Sequence, residues 1–600
     1  MWAMLLALAA ADIERIEVHG RAAQHDAVVL NVASGYRSGE TMADILRHAP
    51  GLQVRQTGGP GGALSLSMQG SGSSQVLVLL DGVPLTSTTL GTPLLQFLDP
   101  AEVASVEVIS GAAAAAYGSG AMSGVVHIRT RADGDNVIAA SQLRGDGDTA
   151  GGHGYLRLSQ QLGRSQFAVS AALRDERYAL QRRSPPLVGA SSERSTVAGY
   201  QAGTYSINFE RLLNSGNALR VRHQRQYTDA DYQQDCVDAV TFAPLRCQPW
   251  LDNEQSLTQV EHVREQGNRQ RRLSLSHFTD QAISSDHLSS AASWSGAGDL
   301  FSTKRWRAAY LTELQTTAGS TISRGFEWQR ERAQSNVVDY QRSQRSRLAL
   351  FSQWQSSQGS GFAWRVERMG SGSWVVTAQA KVKAQLTQHW SGAVALANGY
   401  REPGFNDLYW PGAGNPDLAR EKSQSVQVTL KTRVKQGVQF RLQPFYQRWR
   451  RLIAWAPGDN GLWAPQNIDR ASSRGVTAAG DWQLSESVSL HGHLTWQRAR
   501  DDDSNQRLAY RAGHHAQLRL TQQGQRLRWS LSGHGRNRLY TSEGEALPGY
   551  LSLDAELAWL LRPGAELSLH ASNLGNQRYA ERRDWFEPGR QLRLGFTWRY

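Results

Sequence analysis

An alternation of apolar and polar side chains with a period of two residues recurs through residues 132–600, and it constrains the fold more than any other feature. Residues 167–174, 438–443, 551–559 and 591–600 each follow it. Successive side chains of a β-strand point to opposite faces, so each segment predicts a strand with one apolar and one polar face. Segments of about ten residues match the length of a strand that crosses a membrane at a tilt.

The length of the alternating region predicts a closed barrel. Every backbone N–H and C=O in lipid needs an internal partner, and strands meet that condition only when they close into a barrel. At roughly 21 residues for a strand and its connection, the region has room for on the order of 22 antiparallel strands. A soluble β-sandwich or propeller is the alternative, although neither usually sustains such alternation over hundreds of residues.

Composition is compatible with a membrane barrel and argues against other classes. The mean hydropathy is −0.49, and the sequence has no run of about 18 apolar residues that would form a membrane helix. The net charge of +12 comes almost entirely from arginines scattered along the chain. Nucleic-acid binding needs such charges clustered, so we expect no nucleic-acid partner. No nucleophile–base pair stands out, and we expect no enzymatic activity.

Two features indicate an exported chain. Residues 1–11 have an apolar core that ends in three alanines, as at the end of a secretory signal peptide, with a disordered apolar N terminus as the alternative. Cys236 and Cys247 are the only cysteines. In an exported chain we expect them to form one disulfide, and two free thiols are the alternative.

A small α/β domain is predicted over residues 34–131. Ser38 or Thr41 can cap a helix that runs to His48, where a Pro-Gly pair ends it. Strands are predicted at residues 52–55, 64–68, 76–80, 103–109 and 125–128. The run at 76–80 is apolar throughout, which predicts a strand that is buried on both faces.

Three parts of the chain resemble signatures of the TonB-dependent outer-membrane receptors, in the order found in that family. They are LRHAPGLQV, VLVLLDGVPL and AAYGSGAMSGVVHI within residues 34–131, YREPGFNDLYWPGAGNPDLAREKS at 400–423, and SNLGNQRYAERRDWFEPGRQLRLGFTWRY at 572–600. The resemblance covers nearly the whole chain. It implies a transmembrane β-barrel of about 22 antiparallel strands with an N-terminal α/β plug domain in the lumen. The implied boundaries are an arm at 12–33, the plug at 34–131 and the barrel at 132–600.

The resemblance implies import of a scarce nutrient across the outer membrane of a Gram-negative bacterium. In this family the TonB protein of the inner-membrane energy-transducing complex pulls on the plug. The sequence agrees in lacking a G-x-x-x-x-G-K-[ST] nucleotide loop. The TonB-binding residues would be Ile13, Glu14, Arg15, Ile16, Glu17, Val18, His19 and Gly20. This extended, alternating segment suits addition to the edge of a partner sheet, and an ordinary first plug strand is the alternative.

The resemblance is strongest to the cobalamin receptors of the family, and it places the ligand on two plug loops. One is the glycine-rich segment 56–62, where backbone can approach a ligand closely, and the other is the small, polar segment 86–92. The residues expected to bind the ligand are Gln56, Thr57, Gly58, Gly59, Thr88, Thr89, Leu90 and Gly91. Binding by barrel loops alone is the alternative.

Overall size and the segment NDLYWPGAGNPDL favour cobalamin or another corrinoid as the ligand. A ferric siderophore is the alternative, and the lack of histidine in residues 400–423 disfavours haem. The alternative from another class is a surface adhesin or signalling receptor that has the same fold without import. We expect a monomer in contact with outer-membrane lipid and lipopolysaccharide.

Two groups of side chains have the chemistry of metal ligands. Carboxylates lie close together at Asp229, Asp231, Asp235 and Asp238 and could bind calcium, as loops of cobalamin receptors do, although we favour a solvated acidic loop. His491 and His493 would share one side of a strand and could bind a metal, although an ordinary polar pair is favoured. No cofactor is required, and structural calcium is the one alternative.

The plug departs from the family at two positions. Family plugs usually carry arginine at the positions of Gln69 and Ser110, and those arginines pair with barrel glutamates. Glutamates left without such partners would be buried and unpaired, which is costly. We therefore expect the matching barrel positions to be non-acidic here, or other arginines to replace the missing ones.

Overall fold

The computed structural model describes residues 27–33, 38–131, 134, 136–181, 195–214, 216–231, 236–237, 244–245, 250–284, 298–435, 437–457, 463–542, 544–583 and 585–600. The predicted signal segment and the segment Ile13–Gly20 lie outside these residues. The described chain forms a small N-terminal plug and a closed barrel that surrounds it.

The plug consists of a mixed sheet, a hairpin and short helices. Its elements are β1 (Val28–Asn31), α1 (Met42–Arg47), β2 (Leu52–Gln56), β3 (Leu64–Met68), β4 (Val76–Leu80), β5 (Val83–Pro84), β6 (Val103–Ser110), α2 (Ala114–Tyr117) and β7 (Gly124–Thr130). Single turns of 3-10 helix lie at Ser73–Gln75, Leu95–Phe97 and Pro100–Glu102. The sheet has the order β1-β6-β7-β4-β5, and β2 pairs with β3. No helix in the described residues is long and apolar enough to cross a membrane.

Local sequence determines the plug elements as predicted. The Asp44 N–H donates to the Thr41 hydroxyl at 3.3 Å, and the Thr41 N–H donates to the Asp44 carboxylate at 3.0 Å. This reciprocal pair caps α1, so Thr41 is the cap of the two predicted candidates. All five residues of β4 are buried, as its unbroken apolar run predicts.

The barrel contains long strands and four short ones that lie in its connecting loops. The strands are β8 (Val137–Gly145), β9 (Ala150–Leu162), β10 (Ser165–Gln181), β11 (Ser195–Asn214), β12 (Asn217–Asp231), β13 (Cys236–Val237), β14 (Pro244–Leu245), β15 (Trp250–Gln266), β16 (Arg269–Ser284), β17 (Asp299–Gln315), β18 (Thr321–Ser335), β19 (Gln344–Gln355), β20 (Gly361–Met369), β21 (Trp374–Gln385), β22 (Trp390–Arg401), β23 (Glu421–Lys435), β24 (Val438–Pro457), β25 (Trp463–Gln483), β26 (Val488–Asp501), β27 (His514–Gln523), β28 (Leu527–Arg536), β29 (Leu539–Tyr540), β30 (Ala546–Leu547), β31 (Tyr550–Arg562), β32 (Ala565–Ser572) and β33 (Gln591–Arg599). A short helix, α3 (Phe405–Tyr409), lies between β22 and β23.

Twenty-two of these strands form the closed ring, which confirms the predicted number. Neighbours pair antiparallel, and β33 pairs with β8 to close the barrel. Short turns such as 163–164, 267–268 and 563–564 lie at one end, which we call the short-turn end. Connections such as 402–420 and 573–590 lie at the opposite, long-loop end.

The outer face of the barrel is apolar, as the alternation predicts. Leu173 exposes 70% of its surface, and Leu551 exposes 59%. Their strand neighbours Arg174 and Ser552 point inward and are buried. Water would not stabilise so continuous an apolar surface, whereas the hydrocarbon of a bilayer does.

Inward-facing side chains hold the plug from around the ring. Arg174 donates to the Gly39 carbonyl at 3.0 Å, and Gln447 donates to the Met122 carbonyl at 2.7 Å. Because these bonds reach plug backbone from well-separated strands, the plug has a fixed position in the lumen.

Candidate functional site

The first predicted ligand loop, between β2 and β3, is bound by the last connection of the barrel. The Gly58 and Gly59 N–H groups donate to the Glu587 carboxylate at 2.9 and 3.1 Å. Both glycines have positive φ, and a Cβ on Gly59 would lie 3.2 Å from Pro588. Glycine therefore allows both the turn and the close approach of loop 573–590. Gln56, Gly58 and Gly59 are buried, and Thr57 is half-buried.

Glu587 makes this contact sensitive to pH. Burial, followed by the neighbouring Glu581, raises the pKa of Glu587 to about 7, against the lowering effect of the two N–H donors and Arg582. In the folded protein Glu587 thus keeps its proton in a range where a solvated glutamate has lost it. The resulting stabilisation is complete at acidic pH and is lost as the pH rises through the raised pKa.

We therefore expect amide hydrogen exchange in loop 573–590, corrected for its intrinsic pH dependence, to accelerate between about pH 4.5 and about pH 7 and to level off above that range. Glu587→Gln keeps an acceptor for the glycine N–H groups and should remove this extra acceleration. Glu545→Gln is the matched control, because Glu545 pairs with Arg583 in an external loop and should leave the pH dependence intact. Equal acceleration in the wild type and in Glu587→Gln would contradict the assignment.

The second predicted ligand loop, residues 86–92, is bound to the barrel at its base. The Thr88 N–H donates to the Thr303 hydroxyl at 3.1 Å, and the Phe405 N–H donates to the Thr88 carbonyl at 2.9 Å. Thr88 and Thr89 are buried, Gly91 is half-buried, and Leu90 exposes 45% of its surface. Leu90 is the most exposed of the eight predicted ligand residues, since the other seven are buried or half-buried. Their role in ligand binding stays a prediction.

An aromatic cluster beside this loop was not predicted from the sequence. Trp410 stacks on Phe301 with ring centroids 5.8 Å apart and meets Trp455 edge-on at 6.4 Å. The Trp455 indole N–H donates to the Asp407 carboxylate at 3.1 Å. The sequence shows three aromatic residues within 405–410. It does not show that two distant strands bring Phe301 and Trp455 beside them.

The contact at Gln69 is neutral. The Gln69 amide donates to the Gln427 side-chain carbonyl at 2.6 Å, and both residues are buried. This confirms for Gln69 the expectation of a non-acidic barrel partner. Close to Ser110 the barrel presents Thr477, since a Cβ on Gly51 would lie 3.4 Å from Thr477 and 3.8 Å from Ser110.

A carboxylate at position 427 should weaken the attachment of the plug. Gln427→Glu would bury a charge without a cationic partner, so we expect the free energy of unfolding to fall by about 1–3 kcal/mol. Adding Gln69→Arg should restore most of the lost free energy of unfolding. The measurement is a urea titration in detergent micelles followed by tryptophan fluorescence. The exposed Gln424→Glu is the control, and equal midpoints for Gln427→Glu and this control would exclude a buried contact.

A buried ion network lies under the α2 turn of the plug. Arg365 contacts Glu327 at 3.2 Å and also pairs with Glu367. The Tyr400 hydroxyl donates to Glu367 at 2.5 Å. A Cβ on Gly118, which has a φ of +86°, would lie 3.1 Å from the Glu367 carboxylate. The network therefore supports plug backbone directly.

The predicted metal residues are only partly described. Asp229 and Asp231 lie in β12, and Asp229 is opposite Asp252 of β15. Asp235, Asp238 and Cys247 lie outside the described residues, so the calcium site and the disulfide with Cys236 stay predictions. Within the described part of the chain, no group of three His, Cys, Asp or Glu residues could hold a metal ion.

The two histidines of β26 have separate partners. His491 pairs with Asp481 at 2.7 Å, and the His493 ring contacts the Arg47 carbonyl of the plug at 3.1 Å. His491 thus contacts the barrel and His493 the plug, and the absence of a bound metal stays a prediction.

A closed 22-stranded barrel with an apolar outer face and a plug fixed in its lumen defines a gated outer-membrane receptor. Family models agree: residues 35–125 match the TonB-dependent receptor plug domain, and residues 137–574 match the TonB-dependent receptor-like β-barrel. The chain belongs to the TonB-dependent receptors. It is therefore a protein of the Gram-negative outer membrane, and the long-loop end faces outward.

Similar proteins cover nearly the whole chain. A vitamin B12 transporter of Vibrio vulnificus, BtuB, is 24% identical over 91% of this chain and 89% of its own length. A mutant of the ferric enterobactin receptor PfeA of Pseudomonas aeruginosa superposes with a TM-score of 0.82 at 15% identity, over 96% of this chain and 99% of its own. The siderophore receptor PirA of Acinetobacter baumannii gives 0.79 at 13% identity, over 96% and 98%. The structural matches establish the fold.

Membership of the family implies interaction with TonB and binding of a small molecule. Family and fold are those of receptors and transporters rather than of enzymes.

Proposed function

We propose that this protein imports cobalamin or another corrinoid across the outer membrane, with energy supplied by TonB through Ile13–Gly20. The observation that carries the proposal is the similarity, over nine-tenths of the chain, to a relative described as a vitamin B12 transporter. The ligand would enter from the long-loop end and contact the plug beside Leu90, which is exposed there. The aromatic cluster around Trp410 offers apolar area to a large ring system.

Equilibrium binding of cyanocobalamin to the purified protein in detergent tests the ligand. We expect saturable binding with one corrinoid per protein and weaker binding by Leu90→Glu. Leu574→Glu is the matched control, since Leu574 is an exposed leucine of another external loop. No cyanocobalamin binding, together with saturable binding of a ferric siderophore, would overturn the corrinoid assignment.

Import of a ferric siderophore is the second candidate. The observation that favours it is an external cavity whose charged lining comprises Arg55, Arg507, Arg511 and Asp501, an excess of positive charge that suits an anionic ligand.

A further inference from the structure

An external cavity of about 430 Å³ lies between the plug and the connection 502–513. Its volume is in the range of small-molecule sites. One wall is apolar and includes Leu452, Ile453 and Trp455 near the long-loop end of β24. The facing wall is polar and includes Arg55 of β2 and Arg511. The cavity is too small for a whole corrinoid, so it suits one end of such a ligand.

The two arginines make no ion pair in the described part of the chain. Arg511 donates to the Gly70 and Ala509 carbonyls at 3.2 and 2.7 Å. Arg55 donates to the Glu581 carbonyl at 3.1 Å and to the Ser65 hydroxyl at 3.3 Å. Both guanidinium groups are therefore oriented by neutral oxygens, and Glu581, whose charge acts on Arg55, is itself paired with Arg536 at 3.2 Å.

Burial, together with the charge of Arg55, lowers the pKa of Arg511 to about 10. Two like charges in a half-buried site destabilise each other, and a bound anion would relieve that repulsion. The acidic residue of the lining, Asp501, accepts hydrogen bonds from the Ser504 hydroxyl at 2.6 Å and the Asp503 N–H at 2.9 Å. Its carboxylate is thus engaged within its own loop.

The plug holds the segment around Arg511 in place. The Gln53 amide donates to the Tyr510 carbonyl at 3.3 Å, and the Ala512 N–H donates to the Gln53 carbonyl at 3.2 Å. Tyr510 has a φ of +59°, which is strained for a bulky residue, and Arg55 lies over its ring at 4.4 Å. Both arginines are therefore positioned before any ligand arrives, which favours binding.

We propose that Arg55 and Arg511 form a subsite for the anionic group of the transported ligand, a phosphate or a carboxylate, while the apolar part of the ligand lies against Trp455. The subsite rests on the proposed import function, because it assigns one part of the ligand of that same site. Arginine suits this role because its planar donors match both anions.

The test compares cyanocobalamin, which carries a phosphodiester, with dicyanocobinamide, which lacks it. The wild type should bind cyanocobalamin more tightly, and Arg511→Gln or Arg55→Gln should reduce its affinity by about 10- to 100-fold with little effect on dicyanocobinamide. Arg500→Gln is the matched control, because Arg500 pairs with Asp502 in the same region outside the cavity. Correct folding is checked by heat-modifiable mobility on a gel. If Arg511→Gln misfolds, Arg55→Gln and the salt dependence of wild-type binding carry the test.

A second arm compares an anionic carboxylate siderophore–iron complex with a neutral hydroxamate complex on the same variants. A variant that loses affinity only for cyanocobalamin in the first arm, or only for the carboxylate siderophore complex in the second, supports the subsite. Which arm shows the loss identifies the anion as a phosphate or a carboxylate. Corrinoid binding with equal affinities in all variants would overturn the subsite and leave the proposed function standing. If no corrinoid binds and the variants lose affinity only for the carboxylate siderophore complex, the corrinoid assignment alone is overturned. Binding of none of the four probes would overturn both.

Discussion

Deletion of Ile13–Gly20 is expected to abolish uptake of the ligand and to leave its binding unchanged. The plug is held by hydrogen bonds to strands around the ring, so opening a path past it requires work from outside the molecule. The sequence carries no nucleotide-binding loop that could supply this work. Uptake is measured with labelled cyanocobalamin in cells that lack their own receptor. Binding is measured at equilibrium with the purified variant.

A single substitution sharpens this test. Val18→Pro removes one backbone N–H and fixes φ, both of which oppose addition of the segment as a strand to a partner sheet. We expect Val18→Pro to stop uptake as the deletion does, and Val18→Ala to retain it. Uptake that survives both the deletion and Val18→Pro would contradict coupling through this segment.

Replacement of Arg365 by methionine is expected to lower the free energy of unfolding by about 3–5 kcal/mol, the largest single-residue effect we predict for stability. Arg365 is fully buried and joins Glu327 to Glu367. Its removal leaves the buried Glu367 carboxylate without its arginine, directly under Gly118 of the plug, whereas Glu327 keeps Arg307 at 2.9 Å. The plug should therefore loosen together with the barrel wall.

Urea titration in detergent, followed by tryptophan fluorescence, measures this loss. Arg368→Met is the matched control, since Arg368 lies in the same strand on the exposed outer face and should cost less than about 1 kcal/mol. Adding Glu367→Gln to Arg365→Met should recover part of the stability, because the carboxylate that lost its arginine is then neutral. Equal midpoints for Arg365→Met and Arg368→Met would refute the network.

Much of the fold followed from local patterns. The alternation at 167–174 and 551–559 predicted strands, and the structure places their apolar side chains outward. Thr41 and the apolar run at 76–80 predicted a helix start and a buried strand, and both are present. These features depend on a few neighbouring residues, so the chain carries them within a short window.

The contacts that shape the site could not be predicted from short windows of sequence. Glu587 meets Gly58 across 529 positions of sequence, and Gln53 meets Ala512 across 459. No periodicity encodes which residues of different strands become neighbours. The glycines at 58 and 59 are predicted to let a ligand approach the backbone, and that role stays a prediction; in the described structure a barrel carboxylate approaches both N–H groups.

The closure of the ring by β33 against β8 constrains how the protein can assemble. The seam joins the strand that follows every other described strand in the chain to the strand that comes directly after the plug. The folded plug must therefore already sit among the strands when the seam forms, or it must enter later as an extended chain. Biogenesis of this receptor thus couples the folding of the plug to the closing of the wall, because a folded plug can enter only while the seam is open.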